Sequence, residues 1–224
     1  MPARSALLTL LFCLLSVQAT AQLELGAGFG IAFARQSIEP DDNKDYTFRV
    51  APGVGVIWAY HLTDRLAIHS EPWYQPKGTN IDSVGFNFGF LDFDYIDLPV
   101  MLRYSFPVGK ARPYVIGGIN AGYLLNVARK DVSGDEITVV NSSGAEIDLT
   151  ERYGEWDLGI VFGAGVLVPA GEQLLMVEAH WVHGVVDLDS NTDSDLDMFN
   201  RGLIFRGGLL FPLAIRAGKP QPAP

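Results

Sequence analysis

Large apolar side chains recur at every second position of this sequence, over runs longer than the strands of an ordinary soluble sheet. Between residues 49 and 62 the even positions Val50, Pro52, Val54, Val56, Trp58, Tyr60 and Leu62 are large or apolar. The odd positions between them, Ala51, Gly53, Gly55, Ile57, Ala59 and His61, are mostly small. Successive side chains of a strand point to opposite faces, so a period of two marks a strand with one bulky face and one small face. Soluble strands usually hold about five or six residues; this run is more than twice as long. The pattern returns at 23–33, 66–75, 96–106, 115–127, 156–168, 175–185 and 203–213.

Which face meets water then decides the fold. A soluble barrel turns its bulky face inward and its charges outward. Here the small face holds Gly and Ala with isolated ionisable residues, a poor surface for water and a good lining for a narrow lumen. The bulky face therefore meets lipid. No apolar run after residue 21 is long enough for a spanning helix. The pattern predicts an all-β fold, an eight-stranded antiparallel up-and-down transmembrane β-barrel. Short turns at Thr63-Asp64, Gly109-Lys110-Ala111 and Ala170-Gly171-Glu172 alternate with longer segments at 37–46, 80–92, 129–153 and 187–200. Bacterial barrels keep short turns in the periplasm and long loops outside, so both termini are expected in the periplasm of an outer membrane.

Charge sorts the same way. The formal net charge is −10, and the four long segments carry −3, −2, −3 and −5 in chain order. The acidity belongs to the outer loops, and no basic face exists to displace counterions from nucleic acid. The last loop spaces Asp187, Asp189, Asp193, Asp195 and Asp197 as a weak Ca²⁺ candidate, since a hard cation takes several oxygen ligands. No EF-hand register there has Gly at its sixth place or Glu at its twelfth, so a solvated loop is expected, with no other metal and no cofactor.

Residues 1–21 read as a secretory signal peptide: Arg4, an apolar stretch, then Ala19-Thr20-Ala21, with cleavage before Gln22. Cys13 is the only cysteine and follows Phe12 rather than a small residue, so a lipid-modified N-terminus is not expected. The mature chain then has no thiol chemistry. The expected organisation is signal peptide 1–21, barrel 22–214 and a Pro-rich periplasmic tail 215–224. That tail departs from the usual outer-membrane ending at an aromatic residue.

Three motifs resemble one family. Glu71-Pro72-Trp73-Tyr74-Gln75-Pro76-Lys77-Gly78, Tyr95-Ile96-Asp97-Leu98-Pro99-Val100-Met101-Leu102-Arg103-Tyr104 and Pro113-Tyr114-Val115-Ile116-Gly117-Gly118 are similar, in order and spacing, to strands three to five of the PorT-like outer-membrane β-barrel family of Bacteroidota. The resemblance covers essentially the whole mature chain and implies an eight-stranded outer-membrane barrel. One class of that family assists type IX secretion; many relatives have no assigned role.

The small face carries Glu71, Asp97, Arg103, Glu155, Asp157, Glu178, His180 and Arg206. An eight-stranded barrel is only wide enough for its side chains to fill, and charges buried there must pair. Glu71, Asp97 and Glu178 against Arg103 and Arg206 are the expected lumen ion-pair network. A catalytic set is the weaker reading. His180 and His183 lie three apart and face opposite sides, and His61 and His69 have no evident third partner. No Gly-x-Ser-x-Gly elbow, phosphate-binding loop or His-Glu-x-x-His occurs. The sequence therefore reads as a non-enzymatic structural, docking or secretion-accessory barrel that contacts outer-membrane lipid and an envelope protein. The alternatives are a lipid-modifying enzyme using His180 and Glu178, or a narrow pore. Residues 137–149 read as a hairpin above the membrane. Val84, Phe86, Phe88 and Phe90 alternate with Gly85, Asn87 and Gly89, which allows the strand at Phe93 to start ten residues earlier, and form a row that packs in the hairpin or meets a partner.

Overall fold

A computed structural model describes residues 22–39, 46–83, 86–106, 108–189 and 197–214. Its strands are β1 (Gln22–Glu39), β2 (Tyr46–His61), β3 (Leu66–Ser70), β4 (Trp73–Ser83), β5 (Phe86–Ser105), β6 (Arg112–Lys130), β7 (Trp156–Ala170), β8 (Gln173–Gly184) and β9 (Asp197–Ala214). All pair antiparallel, and β1 closes the ring against β9 from Gln22↔Ala214 to Glu39↔Asp197.

The nine strands fill eight positions. On β2 the register runs from Trp58↔Ser70 to Gly55↔Trp73 without a shift, and on β5 from Ser70↔Val100 to Trp73↔Asp97, so β3 and β4 are one crossing. The ladder lapses at Glu71-Pro72 because Pro72 has no N–H to offer, nor does Pro99 on β5 opposite. The carbonyls are still served. Ser70 Oγ donates to Pro99 O at 2.6 Å, and the Val56 N–H donates to Pro72 O at 3.0 Å. The fold is thus an eight-position antiparallel up-and-down barrel.

Alternation settles which residues meet the lumen. On the outer face Phe29 is 70% exposed and Ile119 64%, while the inward Asp97 is 1% exposed and Arg103 fully buried. Aromatic residues gather at two levels of the outer face. Tyr104 and Phe106 meet edge to face near the turns, at 4.9 Å between ring centroids, and Tyr123 and Trp156 do so nearer the loops, at 5.1 Å. Tyr123 pairs across with Ile96, which pairs with Tyr74. From Phe106 to Ile96 the chain covers about 34 Å of strand, and a typical tilt of roughly 40° projects this to about 26 Å. That matches the ~25 Å apolar band between the aromatic girdles of outer-membrane barrels.

The loop end departs from the sequence reading in three places. The segment 80–92 is mostly a continuation of β4 and β5 rather than a loop; residues 84–85 and the side chains of Phe86 and Phe88 lie outside the described residues. Phe90 is described, beneath the Arg49 guanidinium at 4.7 Å. Val127, expected on the lipid face, points inward. The β5–β6 register slips between Asp94↔Asn126 and Tyr95↔Leu124, a bulge that reverses the parity beyond Leu125. Val127 then packs with Phe93, Tyr95 and Leu124, and Thr150 Oγ1 accepts its N–H at 3.1 Å. Glu155, expected in the lumen, is exposed just before β7.

Between β6 and β7 the chain makes the same turn twice. Asp131-Val132-Ser133-Gly134-Asp135-Glu136-Ile137 and Asn141-Ser142-Ser143-Gly144-Ala145-Glu146-Ile147 are related at a spacing of ten. In each, the first side chain accepts two backbone N–H groups: Ser133 and Asp135 at 2.8 and 3.0 Å, then Ser143 and Ala145 at 2.9 and 3.0 Å. Each has its glycine at positive φ, 91° at Gly134 and 81° at Gly144, where a side chain would be strained. The second turn, closed by the Val140↔Glu146 bridge, is the hairpin expected at 137–149.

Candidate functional site

Inward side chains fill the lumen in layers from the turn end to the loop end. Small residues make the room: a Cβ on Gly165 would strike the Tyr114 ring, and one on Gly55 would strike Trp73. These glycines admit large polar and aromatic side chains from the strands opposite or beside them.

Nearest the turns, the Arg103 guanidinium on β5 donates to Glu24 on β1, whose other oxygen lies 2.9 Å from His61 Nε2 on β2. Arg103 also lies over the Tyr114 ring, at 5.5 Å from its centroid.

The middle layer holds His69, Glu71, Tyr114, Glu178, His180 and Arg206. His69 Nε2 stands 2.8 Å from Glu71 Oε1 and 3.8 Å from Glu178 Oε2. Arg206 donates to the other oxygen of Glu71 and stacks on Trp73, 4.3 Å from the ring centroid. Tyr114 donates its hydroxyl to Glu178 Oε2 at 2.9 Å, and His180 Nδ1 is 2.8 Å from Glu178 Oε1. Each of these side chains is at least nineteen-twentieths buried.

Toward the loops one lysine holds two carboxylates. Lys77 Nζ donates to Asp97 Oδ1 at 2.8 Å and Asp157 Oδ2 at 2.9 Å. Asn120 donates to Asp97 at 3.1 Å, and Asn200 to Asp157 at 2.9 Å. Gln36 donates to Asn200 at 3.2 Å, and the Lys77 ammonium sits 4.5 Å from the Tyr95 centroid. Above them Asp92 takes Arg49 at 2.9 Å and Lys130 at 2.7 Å.

The five residues expected to form one network are all buried but occupy three layers. Glu71 meets Arg206, Arg103 meets Glu24 rather than any of the expected acids, Asp97 meets Lys77, and Glu178 is held by Tyr114 and His180. The expected network left out Glu24, Lys77 and Tyr114, although all three are inward positions of their strands. His69, which reads from the sequence as a histidine without a third partner, has Glu71 and Glu178 beside it. His180 and Glu178 touch, as the enzymatic alternative requires, but inside a filled lumen. In the acidic loop, Asp187 Oδ1 accepts the N–H groups of Asp189 and Met198, at 3.0 and 2.8 Å. Asp193 and Asp195 lie outside the described residues.

Residues 17–190 match the family model described as outer membrane protein beta-barrel domain. The fold is similar to that of Outer Membrane Protein W of E. coli, with a TM-score of 0.53, 14% identity, and 86% of this chain and 98% of that chain covered. It is also similar to OprG from Pseudomonas aeruginosa, with a TM-score of 0.52, 9% identity, and coverage of 87% and 97%. At such identities the likeness is one of fold. A search of curated proteins finds no match to the sequence. The lipid-facing belt, the closed ring and the match over most of the length agree: the chain belongs to the outer membrane protein beta-barrel domain family, an address in the outer membrane.

Proposed function

We propose that this protein is a non-conducting outer-membrane barrel that works as a structural or docking element through its loop end, with both termini in the periplasm. The observation that carries the reading is the layered lumen. Buried ion pairs span it from Glu24 to Asp92, and moving a solute through would break pairs that are costly to separate. The loop end has the features of a presentation surface: an acidic rim, and two hydrogen-bonded turns of one design that hold their backbone in place. The resemblance of the Glu71–Gly78, Tyr95–Tyr104 and Pro113–Gly118 motifs to the PorT-like family makes a type IX secretion accessory the favoured form of docking. Burial of Glu178 and His180 in the lumen weighs against a lipid-modifying enzyme, whose groups must reach a lipid headgroup.

Affinity isolation from outer membranes with a tag on the 215–224 tail tests the docking role. The expected result is a stoichiometric envelope protein that is lost when 131–148 is replaced by a short linker. A barrel recovered with lipid alone, or a partner indifferent to that replacement, overturns it.

A further inference from the structure

The middle layer has more acid than its cations balance. Across the three buried layers the carboxylates are Glu24, Glu71, Asp97, Asp157 and Glu178, and the fixed cations are Arg103, Lys77 and Arg206. Arg206 serves Glu71, Arg103 serves Glu24, and Lys77 is divided between two aspartates. Among the described residues Glu178 makes no ion pair with an arginine or lysine, only contacts with imidazoles and a phenol; Arg206, its register partner on β9, is turned to Glu71. A carboxylate this deeply buried needs a positive charge close by.

We propose that His69, Glu71 and Glu178 form a binding site for a divalent transition-metal ion of the zinc type. One ligand atom of each residue lies within 4.8 Å of the others. Zinc bonds to nitrogen and oxygen run about 2.0–2.2 Å, so the ligand atoms of a tetrahedral site stand roughly 3.3–3.5 Å apart. The separations of His69 Nε2 from the two carboxylates, 2.8 and 3.8 Å, bracket that value. The set of one imidazole and two carboxylates is borderline-hard, suited to Zn²⁺ and its neighbours rather than to Ca²⁺. The contacts around the two carboxylates are those that orient metal ligands, while His69 Nδ1 has no hydrogen-bond partner among the described residues. Arg206 holds the far oxygen of Glu71, His180 holds the far oxygen of Glu178, and Tyr114 steadies the near one. A dication also balances five carboxylates against three fixed cations. Two short sequence pairs build the site, His69-Ser70-Glu71 and Glu178-Ala179-His180, whose spacing of two sends both members of each to the lumen.

The three ligands are buried, so the ion enters as the barrel closes, carrying one water as its fourth ligand. The test is to refold the full mature chain in detergent with Zn²⁺ or Co²⁺, wash with chelator, and measure retained metal together with the Co²⁺ ligand-field spectrum. The expected result is one equivalent of metal and a tetrahedral Co²⁺ spectrum in the wild type. Glu178→Gln is expected to lose the metal, Glu24→Gln in the next layer to keep it, and Tyr114→Phe to bind about tenfold or more weakly. A folded wild type that keeps no metal overturns the proposal, as does retention unchanged in Glu178→Gln. If Glu178→Gln fails to fold, the wild-type Co²⁺ spectrum decides: absence of a tetrahedral signature overturns the site.

Discussion

Replacing Lys77 by methionine keeps most of the side-chain volume and removes the one ammonium that serves both Asp97 and Asp157. At 2.8 and 2.9 Å, each contact has a gross Coulomb attraction of about 6 kcal/mol at an effective dielectric constant of ~20. Desolvation of the three ions, several kcal/mol each, offsets much of this in the wild type. In the variant that offset is no longer compensated: two carboxylates stay buried, held only by Asn120 and Asn200. Breaking a buried pair from one side typically costs about 3–5 kcal/mol, and Lys77→Met is expected to fall at the upper end. Urea unfolding in lipid vesicles, followed by tryptophan fluorescence, measures the loss. The triple variant Lys77→Met, Asp97→Asn, Asp157→Asn removes the charges together and is expected to recover most of it. A loss under about 1 kcal/mol, the scale of exposed pairs, would mean that this layer is hydrated and the lumen is not filled as described.

Four further substitutions test other parts of the structure by the same unfolding assay. Gly165→Ala drives a methyl into the Tyr114 ring and is expected to cost about 1–3 kcal/mol by overpacking; no loss would mean that Tyr114 lies elsewhere. Val127→Ala is expected to destabilise by about 1–2 kcal/mol and Leu125→Ala to stay within about 0.5 kcal/mol; the reverse order would contradict the bulge at Leu125. Ile119→Arg puts a charge on the lipid face between the aromatic levels and is expected to cost about 2–4 kcal/mol in a bilayer, whereas a neutral outcome would move Ile119 out of the belt.

The barrel was legible because its strands carry a period of two that survives Pro72 and Pro99: a proline removes a ladder hydrogen bond but leaves side-chain parity intact. Val127 was misplaced for the opposite reason, since a one-residue bulge changes parity without any mark in composition. Residues 80–92 read as a connection between two strands, but the alternation of Phe86, Phe88 and Phe90 with Asn87 and Gly89 already extends the second strand backward, and β4 runs to Ser83 and β5 begins at Phe86. Individual lumen charges such as Glu71 and Arg206 could be picked out by parity. Their partners could not, because distance across a barrel depends on strand stagger and tilt. His69 shows the limit: alone it reads as a structural histidine, and only closure of the ring brings Glu178 from β8 to within 3.8 Å of it. The doubled turn at 131–147 was readable in principle from its ten-residue spacing.

Planar-bilayer conductance of the folded full-length barrel tests the filled lumen most directly. The expected result is a membrane that stays electrically silent after insertion is verified by heat-modifiable gel migration. Reproducible conductance steps whose ion selectivity changes in Lys77→Met would contradict it, because they would place a continuous water path beside Asp97 and Asp157.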